Sequence, residues 1–112
     1  MISVHVRKVK PEKEARLRQW FAELNARAVE VRETFRAEGV RHELAFIVST
    51  SDGPILVWAA ELDDPEAAAS TFKRSKLPID VEHSSVLRDC LGEKVNASAL
   101  FDVALHIAGG SD

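Results

Sequence analysis

Hydrophobic and polar positions alternate along this chain with periods that change at recognisable points. Ile2–Val6 alternates apolar with polar residues, which is typical of a strand with one apolar face. A stripe at spacings of three and four then runs over Leu17–Phe35 and predicts a helix that Gly39 ends. Such a helix would be about 40 Å long at ~1.5 Å per residue. It therefore either projects towards a second subunit or bends near Asn25.

Residues 40–63 are predicted to form a hairpin. Two runs rich in Val, Ile, Leu, Phe and Trp flank Ser51-Asp52-Gly53, which fits a three-residue loop with Gly last. This register places an apolar face against the helices, consisting of Leu44, Phe46, Val48, Leu56, Trp58 and Ala60. It also places Glu43 directly across from Glu61 on the other face. A register shift of one residue would separate these two acids, because side chains alternate between faces.

The second half of the chain predicts two helical pieces and a last strand. Asp64-Pro65-Glu66 is a strong helix start, with a capping Asp and Pro in the first turn. After a break at residues 76–79, Asp80 is expected to cap a further helix through Leu91, which Gly92 stops. Residues 99–107 alternate again and predict the final strand, followed by a frayed tail at 109–112.

This order of elements predicts an α+β domain over residues 1–108. Strand, helix, strand, strand, helix, strand gives a ferredoxin-like βαββαβ sandwich, with an antiparallel sheet and helices on one face. Alternation then predicts the opposite face, which carries Ser3, His5, Arg7, Glu43, Ala45, Ile47, Val57, Ala59, Glu61, Leu100, Asp102, Ala104 and His106. That mixture is too apolar for a solvated surface and too charged for a core. It favours a homodimer that packs sheet to sheet around a partly polar cavity.

Composition excludes several classes of partner. The formal net charge of −3 argues against nucleic acid and anionic membranes as partners. No apolar run approaches the roughly 20 residues of a spanning helix, and the first residues do not resemble a signal peptide. Cys90 is the only cysteine, which fits a reducing compartment. We therefore expect a cytoplasmic protein.

Four short motifs carry a resemblance to a family of small bacterial proteins of unknown function. The likeness covers about residues 3–92 and rests on Val9–Glu14, Glu38–Arg41, Asp52–Pro54 and Pro78–His83. More distantly, the layout is similar to the dimeric α+β barrel superfamily, which includes L-rhamnose mutarotase and the cofactor-free and haem-degrading monooxygenases. The resemblance implies a dimeric barrel, but it brings no activity. The mutarotase site uses a His on the first helix and a nearby Tyr; here that helix has no His and the chain has no Tyr.

The predicted open face brings together groups that can exchange protons. Two carboxylates facing each other repel, so in a dry site Glu43 or Glu61 would hold a proton near neutral pH. His5 and His106 project from the same face and could join them. Together these groups suffice for general acid–base catalysis, such as aldose isomerisation or proton abstraction beside a carbonyl, with a small polar organic ligand and no cofactor.

His83 is the fourth candidate catalytic residue, after Glu43, Glu61 and His5. It lies on the apolar side of its predicted helix, so it is either a hydrogen-bonded packing residue or a general base at the mouth of the barrel. No HxH, HExxH or paired-cysteine spacing occurs, so no metal site is predicted. Two alternative functions stay open: a non-catalytic dimerisation or ligand-sensing module, and a small monooxygenase.

Overall fold

The structure is a computed structural model, which describes residues 1–105. Its eight main elements are β1 (Ile2–Val9), α1 (Glu14–Ala26), α2 (Ala28–Glu38), β2 (Val40–Thr50), β3 (Gly53–Leu62), α3 (Pro65–Arg74), α4 (Pro78–Cys90) and β4 (Leu91–Lys94). A single 3-10 turn, Pro11–Lys13, leads into α1. The predicted α+β class is confirmed.

The four strands form one antiparallel sheet in the order β2-β3-β1-β4. The helices pack against one face of this sheet, which leaves the other face open. This arrangement is compatible with the predicted ferredoxin-like sandwich. Among the helices of the described residues, none is long and apolar enough to cross a membrane.

The long first helix is broken in two at Arg27, two residues beyond the predicted bend. Arg27 lies outside helical geometry, with φ −102° and ψ 37°, and its backbone N–H donates to the carbonyls of Glu23 and Leu24. Its guanidinium holds the break in place through Glu30 and through Glu82 on α4. The bend is therefore the correct interpretation of the helix length, and the helix does not continue as one straight rod.

The hairpin register differs by one residue from the prediction. Thr50 pairs with Gly53, so the loop contains only Ser51 and Asp52. The Thr50 side chain closes this shorter loop, because its hydroxyl donates to the Gly53 carbonyl at 2.7 Å and accepts from the Asp52 N–H at 3.1 Å. Glu43 consequently pairs with Ala60, and the predicted Glu43–Glu61 pair is wrong.

The sidedness of two strands is the reverse of the prediction. Residues Leu56, Trp58 and Ala60 of β3 face the helices as expected, but their neighbours on that side are Ser3, His5 and Arg7 of β1 and Glu43, Ala45 and Ile47 of β2. The open face instead carries apolar side chains, namely Ile2, Val4, Val6, Leu44, Phe46, Val48, Val57 and Ala59. We call this surface the open face below. Val9, buried and on the same side as His5, shows why β1 must turn this way.

The last strand also differs from the prediction. β4 is the short segment Leu91–Lys94, directly after α4, so Gly92 lies within a strand and does not mark a helix stop. Asp80 lies inside the first turn of α4, with Leu77 at the cap position, and does not cap the helix. Residues 95–105 have no regular structure; residues 106–112, including His106, lie outside the described residues.

Candidate functional site

A cavity of about 690 Å³ lies between the helix-facing side of the sheet and helices α1 to α4. Its walls are mostly apolar and aromatic, including Phe21, Phe35, Trp58 and Phe72. The polar and ionisable side chains that line it are Ser3, His5, Asn25, Thr34, Glu38, Glu43, Asp80 and His83. No lysine or arginine is among the lining residues that the structure describes. Concave, apolar spaces with a few convergent polar groups are typical of small-molecule sites.

The indole of Trp20 fixes the tautomer of His83. The Trp20 Nε1–H lies 2.8 Å from His83 Nδ1, and an indole nitrogen can only donate, so Nδ1 must accept. Burial lowers the pKa of His83 to about 4, against an opposing effect of the Asp80 charge, so the ring is neutral near pH 7. The single ring proton is then on Nε2. His83 therefore offers the cavity a hydrogen-bond donor, and the general-base role does not fit it.

Glu38 is part of a hydrogen-bonded chain with Thr34 and Asp80 that suits its protonated form. The Thr34 hydroxyl oxygen lies 2.6 Å from Asp80 Oδ2 and 3.3 Å from Glu38 Oε2. Since a hydroxyl has one proton, donating it along the shorter contact to Asp80 leaves the Thr34 oxygen as an acceptor. The protonated form of Glu38 then completes the chain by donating to Thr34, whereas ionised Glu38 competes with Asp80 for the Thr34 proton. The Ser75 hydroxyl also donates to Asp80, at 2.5 Å.

The electrostatics of the cavity agree with this proton count. Burial and, to a smaller extent, the nearby charges of Asp80 and Glu43 raise the pKa of Glu38 to about 7, against an opposing effect of the Thr34 hydrogen bond. Burial also raises the pKa of Glu43 above its usual value. Near neutral pH, Glu38 is thus shared between its acid and carboxylate forms. A group with a pKa near the working pH is suited to proton transfer.

His5 lies at the sheet side of the cavity. Its ring stacks on Trp58, with ring centroids 5.2 Å apart, and its Nε2 lies 3.3 Å from the Ser3 hydroxyl. On the helix side, the rings of Phe21 and Phe72 meet His83 edge-on. The two histidines are therefore each held by aromatic neighbours, which limits the orientations that either ring can take.

The structure brings together three of the four predicted catalytic residues. Glu43, His5 and His83 all line the cavity. Glu61 does not, because it lies on the open side of β3, where Arg41 contacts it at 3.2 Å. The meeting point is also on the opposite side of the sheet from the predicted one. His106, the further candidate, lies outside the described residues.

Sequence reasoning missed Glu38 and Thr34. Glu38 follows Val31 and Phe35 at spacings of four and three, so it continues the apolar stripe of the helix with a carboxyl group. A charged residue on a buried stripe was the signal that could have identified it. Thr34 gave no comparable signal, because a single hydroxyl in a helix is common. Its role depends on Asp80, which approaches from a distant part of the chain.

The arrangement supports proton transfer better than metal binding. Among residues 1–105, no group of three or more His, Cys, Asp and Glu side chains is placed to hold a metal ion. A neutral imidazole N–H, a carboxyl with a pKa of about 7 and a second raised carboxyl share one cavity. These groups can donate a hydrogen bond to an oxygen and move a proton on and off a neighbouring atom.

Comparison with known proteins assigns a family. A search of curated proteins gives no match. A family model described as "Family of unknown function (DUF6176)" matches residues 2–108, nearly the full length of the chain. The resemblance to a family of unknown function is thereby confirmed, and this chain belongs to the family of unknown function DUF6176.

Proposed function

We propose that the cavity binds a small, polar, uncharged organic molecule with a carbonyl group and catalyses a cofactor-free proton transfer on it, as in an isomerase or mutarotase. The observation that carries this proposal is the fixed tautomer of His83 beside two carboxyls of raised pKa. The lack of lysine and arginine in the described lining disfavours anionic ligands, because nothing there would neutralise their charge.

Each group has a distinct part in this reaction. The Nε2–H of His83 donates a hydrogen bond to the carbonyl oxygen and stabilises the negative charge that develops there. The Glu43 carboxylate removes the proton from the carbon beside the carbonyl, and the electron pair of that C–H bond moves towards oxygen. The enolate oxygen takes the proton of the neighbouring hydroxyl group, and protonated Glu38 gives its proton to the former carbonyl carbon, so the carbonyl moves to the adjacent carbon. Glu43 then holds a proton and Glu38 is ionised, and proton exchange between them restores the starting state. Thr34 and Asp80 orient Glu38 without contacting the ligand in this scheme.

Deuterium exchange tests the proposal directly. The full chain is incubated in deuterated buffer with dihydroxyacetone, acetoin, D-arabinose or D-glucose, and proton NMR follows loss of signal beside the carbonyl; polarimetry follows anomer interconversion. We expect one probe to react faster than in buffer and Glu43→Gln to slow it by about 100-fold, as for loss of a general base. Glu61→Gln is the matched control, since Glu61 lies outside the cavity and should leave the rate unchanged.

Two outcomes would contradict the proposal. If no probe reacts faster than in buffer, or if Glu61→Gln slows the reaction as much as Glu43→Gln, the cavity is not the site of proton transfer. A probe that raises the thermal midpoint of the wild type but not of Glu43→Gln, without any exchange, would support the second candidate, a ligand-sensing module.

The open face supports the second candidate in a further respect. Several of its side chains are apolar and solvent-exposed, with Ile2 at 64%, Leu44 at 57% and Phe46 at 48% exposure. A contiguous apolar patch of this kind usually marks an interaction surface. Our proposal includes a homodimer in which two copies pack open face to open face, because an apolar sheet face fits a second copy of itself. Val4→Lys would place a charge in this contact and should shift the protein to monomers in light scattering.

A further inference from the structure

Ser3 and His5 are polar groups of the cavity that the proposed reaction does not use. Both line the same cavity as Glu43, and the Ser3 hydroxyl oxygen lies 3.3 Å from His5 Nε2. If His5 donates in this contact, Ser3 still has its own proton to donate; if Ser3 donates, its oxygen still accepts from another group. A hydroxyl group of a ligand suits both cases, because it donates and accepts hydrogen bonds.

The register of the sheet sets the distance between this pair and the reacting end of the cavity. Ala60 of β3 pairs with Ser3 of β1 on one side and with Glu43 of β2 on the other, so the three residues form one row. Two strand spacings of ~4.8 Å separate the outer residues of the row by about 10 Å. Side chains stand roughly perpendicular to a sheet, so the Ser3 hydroxyl and the Glu43 carboxyl keep a similar separation.

The cavity extends along the whole of this row. Ser3, Ala60 and Glu43 all line it, and the residue in the middle carries only a methyl group. His5 stands two residues after Ser3 on the same side of β1, where its ring stacks on Trp58. A ligand chain that begins at the Glu43 carboxyl can therefore extend towards Ser3 and His5 within one space.

The length of the row selects among hydroxycarbonyl compounds. Each bond of an extended carbon chain advances about 1.25 Å, since the bonds are about 1.5 Å long. From the carbon that loses its proton to the terminal hydroxyl oxygen, a three-carbon compound has two bonds and a five-carbon compound has four. With about 3 Å for the contact at each end, their reach is about 8.5 Å and about 11 Å. Only the longer compound covers the row of about 10 Å.

We propose that Ser3 and His5 form a second polar subsite, which binds the terminal hydroxyl group of an open-chain hydroxy-aldehyde or hydroxy-ketone of five or six carbons. This inference rests on the proposed function, because it places the reacting carbon of the same molecule at Glu43. It names the substrate class of the site and makes Ser3 and His5 its specificity-determining residues. A site that hydrogen-bonds a substrate hydroxyl discriminates against the analogue that lacks it.

Matched substrates test the subsite on the full chain. D-Arabinose and 5-deoxy-D-arabinose differ in the terminal hydroxyl group, and deuterium exchange beside the carbonyl gives kcat/KM for each. Ser3→Ala should lower the ratio of the first value to the second by about tenfold, which is the effect of one hydrogen bond. Because variant and wild type are compared on the same two probes, differences in the amount of open-chain form cancel. Dihydroxyacetone, which is too short, should behave like the deoxy probe.

Two further variants separate hydrogen bonding from packing. His5→Phe keeps a ring that can stack on Trp58 but removes the ring nitrogens, so it should lower the same ratio as Ser3→Ala does. Ser49→Ala and His42→Phe are the matched controls, because both residues lie in β2 and neither belongs to the described lining of the cavity. Both controls should leave the ratio unchanged.

The subsite and the proposed function can fail separately. If Glu43→Gln slows exchange but Ser3→Ala and His5→Phe leave the ratio unchanged, the subsite is wrong and the proposed function stands. An equal loss on both probes also overturns the subsite, because the terminal hydroxyl group then has no part in the effect.

A five-carbon alcohol without a carbonyl group, xylitol, tests binding apart from reaction. Saturation-transfer NMR should show that xylitol binds the wild type and that Ser3→Ala weakens this binding by about tenfold. If xylitol binds in this way but no probe exchanges, the subsite is supported and the proposed reaction is wrong. If xylitol does not bind and no probe exchanges, both proposals are overturned.

Discussion

The two faces of the sheet are unusual for a two-layer domain, because polar side chains lie among the core residues of the covered face and the open face is largely apolar. The side covered by helices holds polar residues of two strands, including Ser3, His5 and Glu43, whereas the open side holds Ile2 and Phe46. Apolar side chains normally gather under the helices, because burial there removes them from water. The covered face therefore borders a cavity of about 690 Å³ with polar groups in its lining, and the open face exposes apolar side chains to solvent.

The largest expected effect is a difference in the stability lost when a side chain is shortened on the covered face or on the open face. Leu56 is 2% exposed at the centre of the core, so Leu56→Ala should lower the free energy of unfolding by about 3 kcal/mol. Phe46→Ala, in the adjacent strand on the open face, should lower it by less than about 1 kcal/mol in dilute solution, because the side chain is already in contact with water. Urea unfolding at low protein concentration measures both. Equal losses would mean that the open face is covered within one chain.

A second prediction concerns the part of the pH dependence of stability that Glu38 and His83 in the cavity produce. The pKa of Glu38 rises on folding from 4.5 to about 7, so its contribution is complete below pH 4.5 and is lost as the pH rises to about 7. The pKa of His83 falls from 6.5 to about 4, so its contribution is complete above pH 6.5 and is lost as the pH falls to about 4. The two slopes oppose each other between about pH 4.5 and 6.5.

Glu38→Gln should remove the contribution of Glu38 to the pH dependence of stability and leave that of His83. Glutamine can still donate a hydrogen bond to Thr34, so the variant mimics protonated Glu38 at every pH. Allowing for partial solvent exposure, it should be more stable than the wild type by about 1–2 kcal/mol at pH 8 and similar at pH 4.5. Urea unfolding across this pH range gives the comparison, with Glu61→Gln as the open-face control. A Glu38→Gln curve parallel to the wild type would contradict the proton assigned to Glu38.

A spectroscopic prediction sharpens the assignment of the His83 tautomer. Trp20→Phe removes the indole donor, so Nδ1 of His83 loses its partner at a cost of about 1 kcal/mol, and the smaller ring adds a packing cost because Trp20 is 5% exposed in the core. Nitrogen NMR of the imidazole should show a proton on Nε2 in the wild type and a mixture of tautomers in the variant. Trp58→Phe is the control, because Trp58 stacks on His5 and donates no hydrogen bond to His83. A proton on Nδ1 in the wild type would refute the assignment.

Local signals in the sequence predicted several elements correctly. Asp64 caps α3 by accepting from the N–H groups of Glu66 and Ala67, and Gly39 ends α2 with φ 74°. Both outcomes depend only on neighbouring residues, because a cap or a left-handed turn is decided within one helical turn. The order of helices and strands that follows from such signals was therefore accessible without the structure.

The sides of the strands were not accessible in the same way. Alternation shows that β1 has an apolar face, but the period does not show which way that face points. The burial of Val9 shows which way the apolar face of β1 points, but nothing in the sequence distinguishes Val9 from the other valines of the strand. The predicted register of the hairpin was wrong by one residue, because the Thr50 side chain closes a loop of two residues where the pattern predicted three. The candidate site consequently contains His5, Glu43 and His83 but lies on the unexpected side.

The placement of the two tryptophans has an optical consequence. They are the only tryptophans in the protein, and each is held against a histidine that lines the cavity: Trp20 through its hydrogen bond to His83, and Trp58 through its stack on His5. The intrinsic ultraviolet emission of the unlabelled protein therefore originates next to the proposed site. Filling the cavity changes the surroundings of an emitting indole, so the protein carries its own spectroscopic probe.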